Sequence, residues 1–201
     1  MQPTTRRGLD ALTAAWADLH PGVTPIDARF GLSTVLGGAI DGVLAFPLED
    51  HWLLVSYGLS ELDDKETSVP EVSGSGFELT ARVARDPRTV LPPQWMIQVI
   101  NGVARSFVGG MDLSLGDWIV GAGALGGSDQ AGPLTSVTIV ADPELSRMDT
   151  ANGVVHFWTL VGLTGPEGLA AQEAGTAEPL VAALRERSPL LITDPARPGL
   201  V

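Results

Sequence analysis

The chain has 201 residues, of which 44% are hydrophobic and 18% charged, a balance typical of one globular domain with a full core. Cysteine is absent, which excludes disulfides and cysteine nucleophiles. The formal net charge is −12 and Lys65 is the only lysine, so the clustered cations of a nucleic-acid or anionic-membrane binder are missing. We therefore expect no nucleic-acid and no membrane partner, and a protein partner that is basic.

The first predicted element is an amphipathic helix. Its apolar face recurs at spacings of three and four, at Leu9, Leu12, Trp16 and Leu19. Thr4 or Thr5 is its candidate cap, and Pro21 with Gly22 ends it. Asp10 interrupts the apolar stretch that an export signal needs after a pair of arginines. The sequence therefore predicts a cytoplasmic chain whose residues 1–22 form an N-terminal helix.

Strands are predicted in the next part of the chain. Residues 42–48 and 52–58 read as a pair joined by a turn at Glu49 and Asp50. Residues 61–75 then predict an acidic loop. Polar and apolar residues alternate over 77–84, which predicts a strand with one buried face and one solvent face. The apolar face holds Phe77, Leu79, Ala81 and Val83, and the polar face holds Glu78, Thr80 and Arg82.

The second half of the chain mixes helices with further strands. Pro92 and Pro93 open a second helix, which Gly109 and Gly110 close. Its predicted inner face holds Trp95, Val99, Ile100, Val103 and Phe107. Later predictions are strands over 135–140 and 154–161, a hairpin turn at Asn152 and Gly153, a helix with a capping box from Thr164 to Glu167, and a helix over 179–187.

This order of elements predicts an α+β fold with a mixed, largely antiparallel sheet flanked by about four helices. We expect a single domain over residues 1–201, with a core over 23–194 and a tail over 195–201.

Two patterns that suggest small-molecule chemistry lack its physical requirements. Gly121, Gly123 and Gly126 match a dinucleotide-binding fingerprint, but Gly132 and Pro133 follow too soon for the helix that would hold a pyrophosphate. The three histidines, His20, His51 and His156, are too far apart for a recognisable metal motif. The sequence therefore predicts that these glycines form a flexible loop within the glycine-rich stretch 116–132, with no cofactor and no metal.

Four separated blocks carry a family resemblance, and they lie at residues 51–62, 73–80, 92–95 and 190–194. They begin with His51-Trp52, with Ser73-Gly74, with Pro92-Pro93 and with Leu190-Leu191. In this order and at these separations the chain resembles the N-terminal domain of the Suppressor of fused family. The chain carries the first of that family's two lobes, so it is similar to the stand-alone bacterial type.

The resemblance implies a protein that holds other proteins. In animals the founding member binds a short peptide segment of zinc-finger transcription factors between its two lobes. For the bacterial type the resemblance implies an immunity protein that neutralises a toxin. The family's peptide-contacting aspartate matches Asp117, with Trp118 in place of the following histidine. A contacting tyrosine of the family is replaced by Ser106, and an aromatic residue by Ala81.

The leading hypothesis is therefore a non-enzymatic protein-binding module that engages a basic or β-forming segment, in its specific form a cytoplasmic immunity protein. The predicted partner-binding residues are Asp117, Ser106, Trp118, Glu61, Asp63 and Asp64. A first alternative is a hydrolase-like enzyme for a small molecule, with a site built from Asp117, Asp142 and one histidine. A second alternative is a regulatory or scaffolding protein.

Overall fold

The computed structural model describes residues 7–29, 39–121 and 123–201. Four α-helices and eight strands lie in these ranges. In chain order they are α1 (Arg7–Leu19), β1 (Ile26–Arg29), β2 (Gly42–Pro47), β3 (His51–Tyr57), β4 (Val72–Ala84), α2 (Gln94–Val108), β5 (Trp118–Val120), β6 (Leu134–Ala141), β7 (Arg147–Thr150), β8 (Gly153–Thr164), α3 (Gly165–Ala174) and α4 (Glu178–Arg187). Two single 3-10 turns, Leu125–Gly127 and Asp129–Ala131, separate β5 from β6.

All the strands belong to one open sheet with the order β1-β2-β3-β4-β8-β6-β5, and β7 pairs with the first part of β8. The β4–β8 ladder is parallel, and the other six ladders are antiparallel. Helices cover both faces of this sheet. The prediction of an α+β fold with a mixed, largely antiparallel sheet and about four helices is confirmed.

Helix α2 packs on the first face of the sheet. Its predicted inner residues Trp95, Ile100 and Val103 are buried against the apolar residues of β4, β3 and β6. The ring of Phe107 meets that of Phe77 edge-on, with centroids 4.9 Å apart. The helix ends at Val108 because Gly109 and Gly110 follow, as predicted.

The second face is covered by α1, α3 and α4. From α1, Leu12 and Trp16 are fully buried against β2, β3 and β8, and Trp16 meets Phe157 edge-on with centroids 5.2 Å apart. The predicted caps Thr4 and Thr5 lie outside the described residues. Helix α3 begins at the predicted capping box, in which Thr164 Oγ1 accepts from the Glu167 amide and Glu167 Oε2 accepts from the Thr164 amide.

The prediction that β4 exposes one face to solvent is wrong. Glu78, Thr80 and Arg82 are completely buried, as are their apolar neighbours Leu79 and Ala81. Helix α1 and the segment after β6 cover this face, and the polar groups bind one another there instead of water. The alternation of polar and apolar residues in β4 therefore distinguishes two faces of the strand, but neither face is exposed to solvent.

Three short strands, β1, β5 and β7, were not predicted, and β4 begins at Val72, inside the predicted loop 61–75. Gly74 lies in the irregular first part of β4, where the register with β8 shifts between Val72 and Phe77. It has a φ of +56°, and a Cβ there would lie 2.8 Å from the Leu59 oxygen, so only glycine permits this approach. Of the fingerprint-like glycines, Gly121 follows β5 and Gly126 lies in a single 3-10 turn, so the described part of this segment contains no long helix. The predicted tail 195–201 is docked on α3, because Arg197 pairs with Glu167.

Within the described residues, no helix is long and apolar enough to cross a membrane.

Candidate protein-binding edge at β5

Strand β5 ends the sheet on one side, and its outer edge presents backbone groups. The Ile139 amide donates to the Asp117 oxygen (2.9 Å), and the Gly121 amide donates to the Thr135 oxygen (2.7 Å). Hydrogen-bonded pairs alternate along an antiparallel ladder, so Ile119 also faces β6. Trp118 and Val120 therefore direct their N–H and C=O groups away from the sheet, where another strand can pair with them.

Apolar hollows flank this edge. Val120 is 56% exposed, and beside it lies an open hollow of about 420 Å³ whose floor includes Gly165 and Gly168 and whose rim includes Leu169. A second hollow of about 230 Å³ is lined by residues that include Met111, Leu113, Trp118 and Ile119. A third, of about 270 Å³, lies between Leu115, Val140 and Val181. Added strands are held by backbone hydrogen bonds and selected by pockets for their alternate side chains, and this edge offers both.

The predicted residues Asp117 and Trp118 lie at this edge. Asp117 immediately precedes β5, and its Oδ2 accepts from the Ser114 amide (2.8 Å), so the carboxylate braces the turn that leads into the strand. The Trp118 ring is half-buried against Ala171, Ala177 and Leu180 on the second face. Ser106 is half-buried on α2, and its backbone oxygen accepts from Met111, at the start of the segment that leads to Asp117.

The predicted acidic residues lie elsewhere. Their loop enters β4 at Val72, which pairs with Val154 at the start of β8, whereas β5 lies beyond β8 and β6, level with the end of β8. Glu61 accepts from the amide and hydroxyl of Thr67 (2.7 and 2.9 Å), and Asp63 accepts from the Gly8 amide in the first turn of α1 (2.8 Å). Asp64 is exposed. The six predicted residues thus occupy two separate places on the molecule.

A buried ionic cluster on the second face was not predicted. Arg82 is fully buried and binds both oxygens of Asp142, at 2.8 and 3.0 Å, while its Nη2 binds Glu144 at 2.6 Å. Thr80 and Thr159 donate to the same Asp142 carboxylate. Burial alone would raise the pKa of Asp142, but hydrogen bonds and charge attraction from Arg82 outweigh it and lower that pKa below its ordinary value.

Two histidines lie around this cluster. His20 Nε2 is 3.6 Å from Glu144, and His51 Nδ1 is 2.7 Å from Asp50. Burial lowers the pKa of His51, against the opposing effect of Asp50. The printed contacts of these histidines are with Glu144 and Asp50, whereas Asp142 binds Arg82, and Asp117 lies apart at the β5 edge, so the described residues do not assemble the site of the enzyme alternative. In the described ranges, no three His, Cys, Asp or Glu side chains are grouped so as to hold a metal ion.

A second buried carboxylate, Glu78, organises the turn after β3. Its Oε1 accepts from the amides of Gly58, Leu59 and Ser60 at 3.0, 3.1 and 2.8 Å and from the Ser60 hydroxyl, and its Oε2 accepts from Ser56. Complete burial raises the pKa of Glu78 although these donors oppose the shift. Sequence reasoning placed Glu78 on a solvent face because its partners cannot be seen from alternation alone.

This α+β domain is similar to solved structures of the Suppressor of fused class. The structure of a Sufu–Fu complex matches with a TM-score of 0.81 and 26% identity, over 96% of this chain and 91% of that one. Drosophila Suppressor of Fused matches with a TM-score of 0.82 and 26% identity, over 96% of this chain and 50% of that one. A SUFU homologue from Neisseria gonorrhoeae FA 1090 shares the fold, with a TM-score of 0.66, 16% identity and 97% coverage of both chains.

The sequence gives the same result by a separate route. The Suppressor of fused protein (SUFU) family model matches residues 39–198. The Suppressor of fused homologs of Homo sapiens and Mus musculus are each 31% identical to the chain over 159 residues, which is 75% of this chain and 32% of each relative. This chain belongs to the Suppressor of fused family, and it spans about a third of the length of these relatives. The family resemblance found in the sequence is confirmed.

Proposed function

We propose that this chain is a non-enzymatic protein-binding module that takes up an extended segment of a partner as an added strand on β5. The observation that carries the proposal is the outer edge of β5, where the outward backbone groups of Trp118 and Val120 lie between apolar hollows. A related structure is that of Sufu in complex with Fu, which shows a family member held by a protein partner.

The geometry favours a partner segment with β-forming, apolar residues at alternate positions. Side chains on one face of such a strand would enter the hollow beside Val120 and Leu169, and those on the other would meet Met111 and Leu113. The net charge of −12 favours a basic partner, mainly by speeding its encounter with the domain. The acidic loop with Glu61, Asp63 and Asp64 contributes to this long-range field and lies away from the docked strand.

The specific form of the proposal is a cytoplasmic immunity protein that blocks a toxin by occupying a segment of it. Its support is the sequence resemblance to stand-alone bacterial members, the shared fold with the Neisseria gonorrhoeae homologue and the acidic charge. Co-expression of the chain with the product of each neighbouring gene tests it. Rescue of a growth arrest caused by one of those products supports the immunity role, and an arrest that persists at equal expression contradicts it for that pair.

The binding edge is tested by capturing partners from extracts of the native cell with wild-type protein and two variants. Val120→Pro removes an outward N–H and should abolish capture, because proline cannot donate to a ladder. A triple variant, Glu61→Gln with Asp63→Asn and Asp64→Asn, should retain the partner and mainly lower the association rate at low salt. Retention by Val120→Pro together with loss in the acidic-loop variant would refute the β5 site.

A further inference from the structure

A hollow distant from the β5 edge lies between the C-terminal end of α4 and the segment 188–198. Its volume is about 200 Å³, and its apolar wall includes Val161, Leu184 and Leu191. An apolar cavity of about 150 Å³ is large enough to hold a benzene molecule. This hollow therefore has room for one small apolar group.

The far wall of the hollow is fixed to the sheet. The β4–β8 pairing ends at Thr80 and Thr159, and beyond that point Thr193 forms a parallel bridge with Val83 of β4. The Thr193 amide donates to the Arg82 oxygen (2.8 Å), its oxygen accepts from the Ala84 amide (2.9 Å), and its hydroxyl accepts from the Gly162 amide (3.0 Å). The hollow is thus preformed, as small-molecule sites usually are.

Leu191, in the apolar wall of the hollow, has an unfavourable backbone conformation. Its φ is +54°, a value that a branched residue rarely adopts, and it is the only non-glycine residue with positive φ in the described ranges. The buried side chain and the hydrogen bond from its amide to the Ser188 oxygen (2.8 Å) hold it there. Such strained residues concentrate at ligand-holding sites.

Residues of opposite charge line the hollow, and two of them form no ion pair within the described ranges. Within the described chain, Arg187 in the last turn of α4 forms no ion pair or hydrogen bond. Asp194 accepts from the Ala196 amide (2.8 Å) and, among the described residues, pairs with no cation. The third charged rim residue, Arg197, is already neutralised by Glu167, which it binds at 2.6 and 2.5 Å. Judged by the residues that the structure describes, the rim therefore offers one unpaired cation, Arg187, and one carboxylate without a cation, Asp194.

We propose that this hollow binds a small apolar α-amino acid. The aliphatic side chain lies against Leu184 and Leu191, the ligand carboxylate meets Arg187, and the ligand ammonium meets Asp194. A simple monocarboxylate would leave Asp194 unpaired beside it, and a simple amine would do the same to Arg187. The zwitterion alone satisfies both rim charges and the apolar wall. This site is independent of the β5 edge and of the function proposed for it.

The class of ligand is tested by titrating the full chain with leucine, 4-methylpentanoate and 3-methylbutylamine, which share one aliphatic group. Amide shifts in ¹⁵N–¹H spectra report the location. Leucine should shift the amides of Leu184, Leu191 and Thr193 with a Kd of about 1 mM or lower. The two single-charge analogues should bind about two- to fivefold more weakly. No saturable shift with leucine up to about 20 mM, some twentyfold above that Kd, overturns the proposal.

Conservative variants separate the rim charges from folding. Arg187→Gln and Asp194→Asn should each weaken leucine binding about two- to fivefold, and Asp194→Asn keeps an acceptor for the Ala196 amide. Arg185→Gln is the matched control. Arg185 precedes Arg187 by two residues on α4 and lines a different hollow, the one between Leu115, Val140 and Val181. Equal affinity for leucine and 4-methylpentanoate, or an effect of Arg185→Gln as large as that of Arg187→Gln, also overturns the proposal.

Discussion

Replacing Arg82 by methionine tests the structural account of the buried ionic cluster. The guanidinium is fully buried and makes two hydrogen bonds to Asp142 and two to Glu144. Breaking a buried pair from one side costs ~3–5 kcal/mol, because a charge is left uncompensated. Asp142 keeps four other donors, Thr80, Thr159 and the amides of Glu144 and Leu145, so we expect the low end, about 3 kcal/mol.

The assay is urea unfolding at pH 7 followed by tryptophan fluorescence, since the Arg82 guanidinium lies 6.0 Å from the centre of the Trp16 ring. The double variant Arg82→Met with Asp142→Asn should recover about 1–3 kcal/mol relative to the sum of the single losses. Arg147→Met, which breaks the exposed pair with Asp149, is the control and should change little.

The pH dependence of this loss has a definite sign. Arg82 lowers the pKa of Asp142 below its ordinary 3.8, so the wild-type contribution is present above that value and is lost as the pH falls further. Without Arg82 the pKa of Asp142 rises, and protonation relieves the buried charge at higher pH. The difference in the free energy of unfolding between wild type and Arg82→Met should therefore become smaller from pH 7 to pH 4. A loss under about 1 kcal/mol at pH 7 would refute the reasoning.

Three further predictions concern single residues and use the same unfolding assay. Glu78→Ala should cost ~3 kcal/mol or more, since three amides, of which those of Leu59 and Ser60 are buried, and two hydroxyls lose their acceptor; a loss below ~1 kcal/mol contradicts this. Thr164→Ala should cost about 1 kcal/mol by removing the cap of α3, and no loss would contradict that. Burial lowers the pKa of His51 below 6.5, so the wild-type free energy of unfolding should fall as the pH drops below 6.5, by at most ~1.4 kcal/mol per pH unit. His51→Phe should reduce this dependence of the unfolding free energy on pH, and an unchanged dependence refutes the prediction.

Much of the fold follows from local patterns. The spacing of Leu9, Leu12 and Trp16 predicts α1, and Pro93 with Gly109 brackets α2 within a residue of its observed ends. The short strand β5 escaped prediction because three residues carry no measurable alternation. The second face of β4 was misjudged because its partners lie far along the chain, as Asp142 does from Arg82.

The candidate site was predictable only in part. The family resemblance pointed to Asp117 and Trp118, and both lie at the β5 edge. The edge itself depends on the strand order, which the sequence does not reveal. The acidic residues Glu61 and Asp63 looked like a binding surface from charge alone, yet their carboxylates hold local backbone and hydroxyl groups.

The central claim is that a partner pairs with the outer edge of β5, and site-resolved amide hydrogen exchange tests it most directly. In the free chain the outward amides of Trp118 and Val120 should exchange rapidly, while the inward amide of Ile119 is protected by β6. Binding of the captured partner should slow exchange at Trp118 and Val120 by ~100-fold or more, as ladder hydrogen bonds form. Unchanged exchange at both amides in a saturated complex would contradict the account.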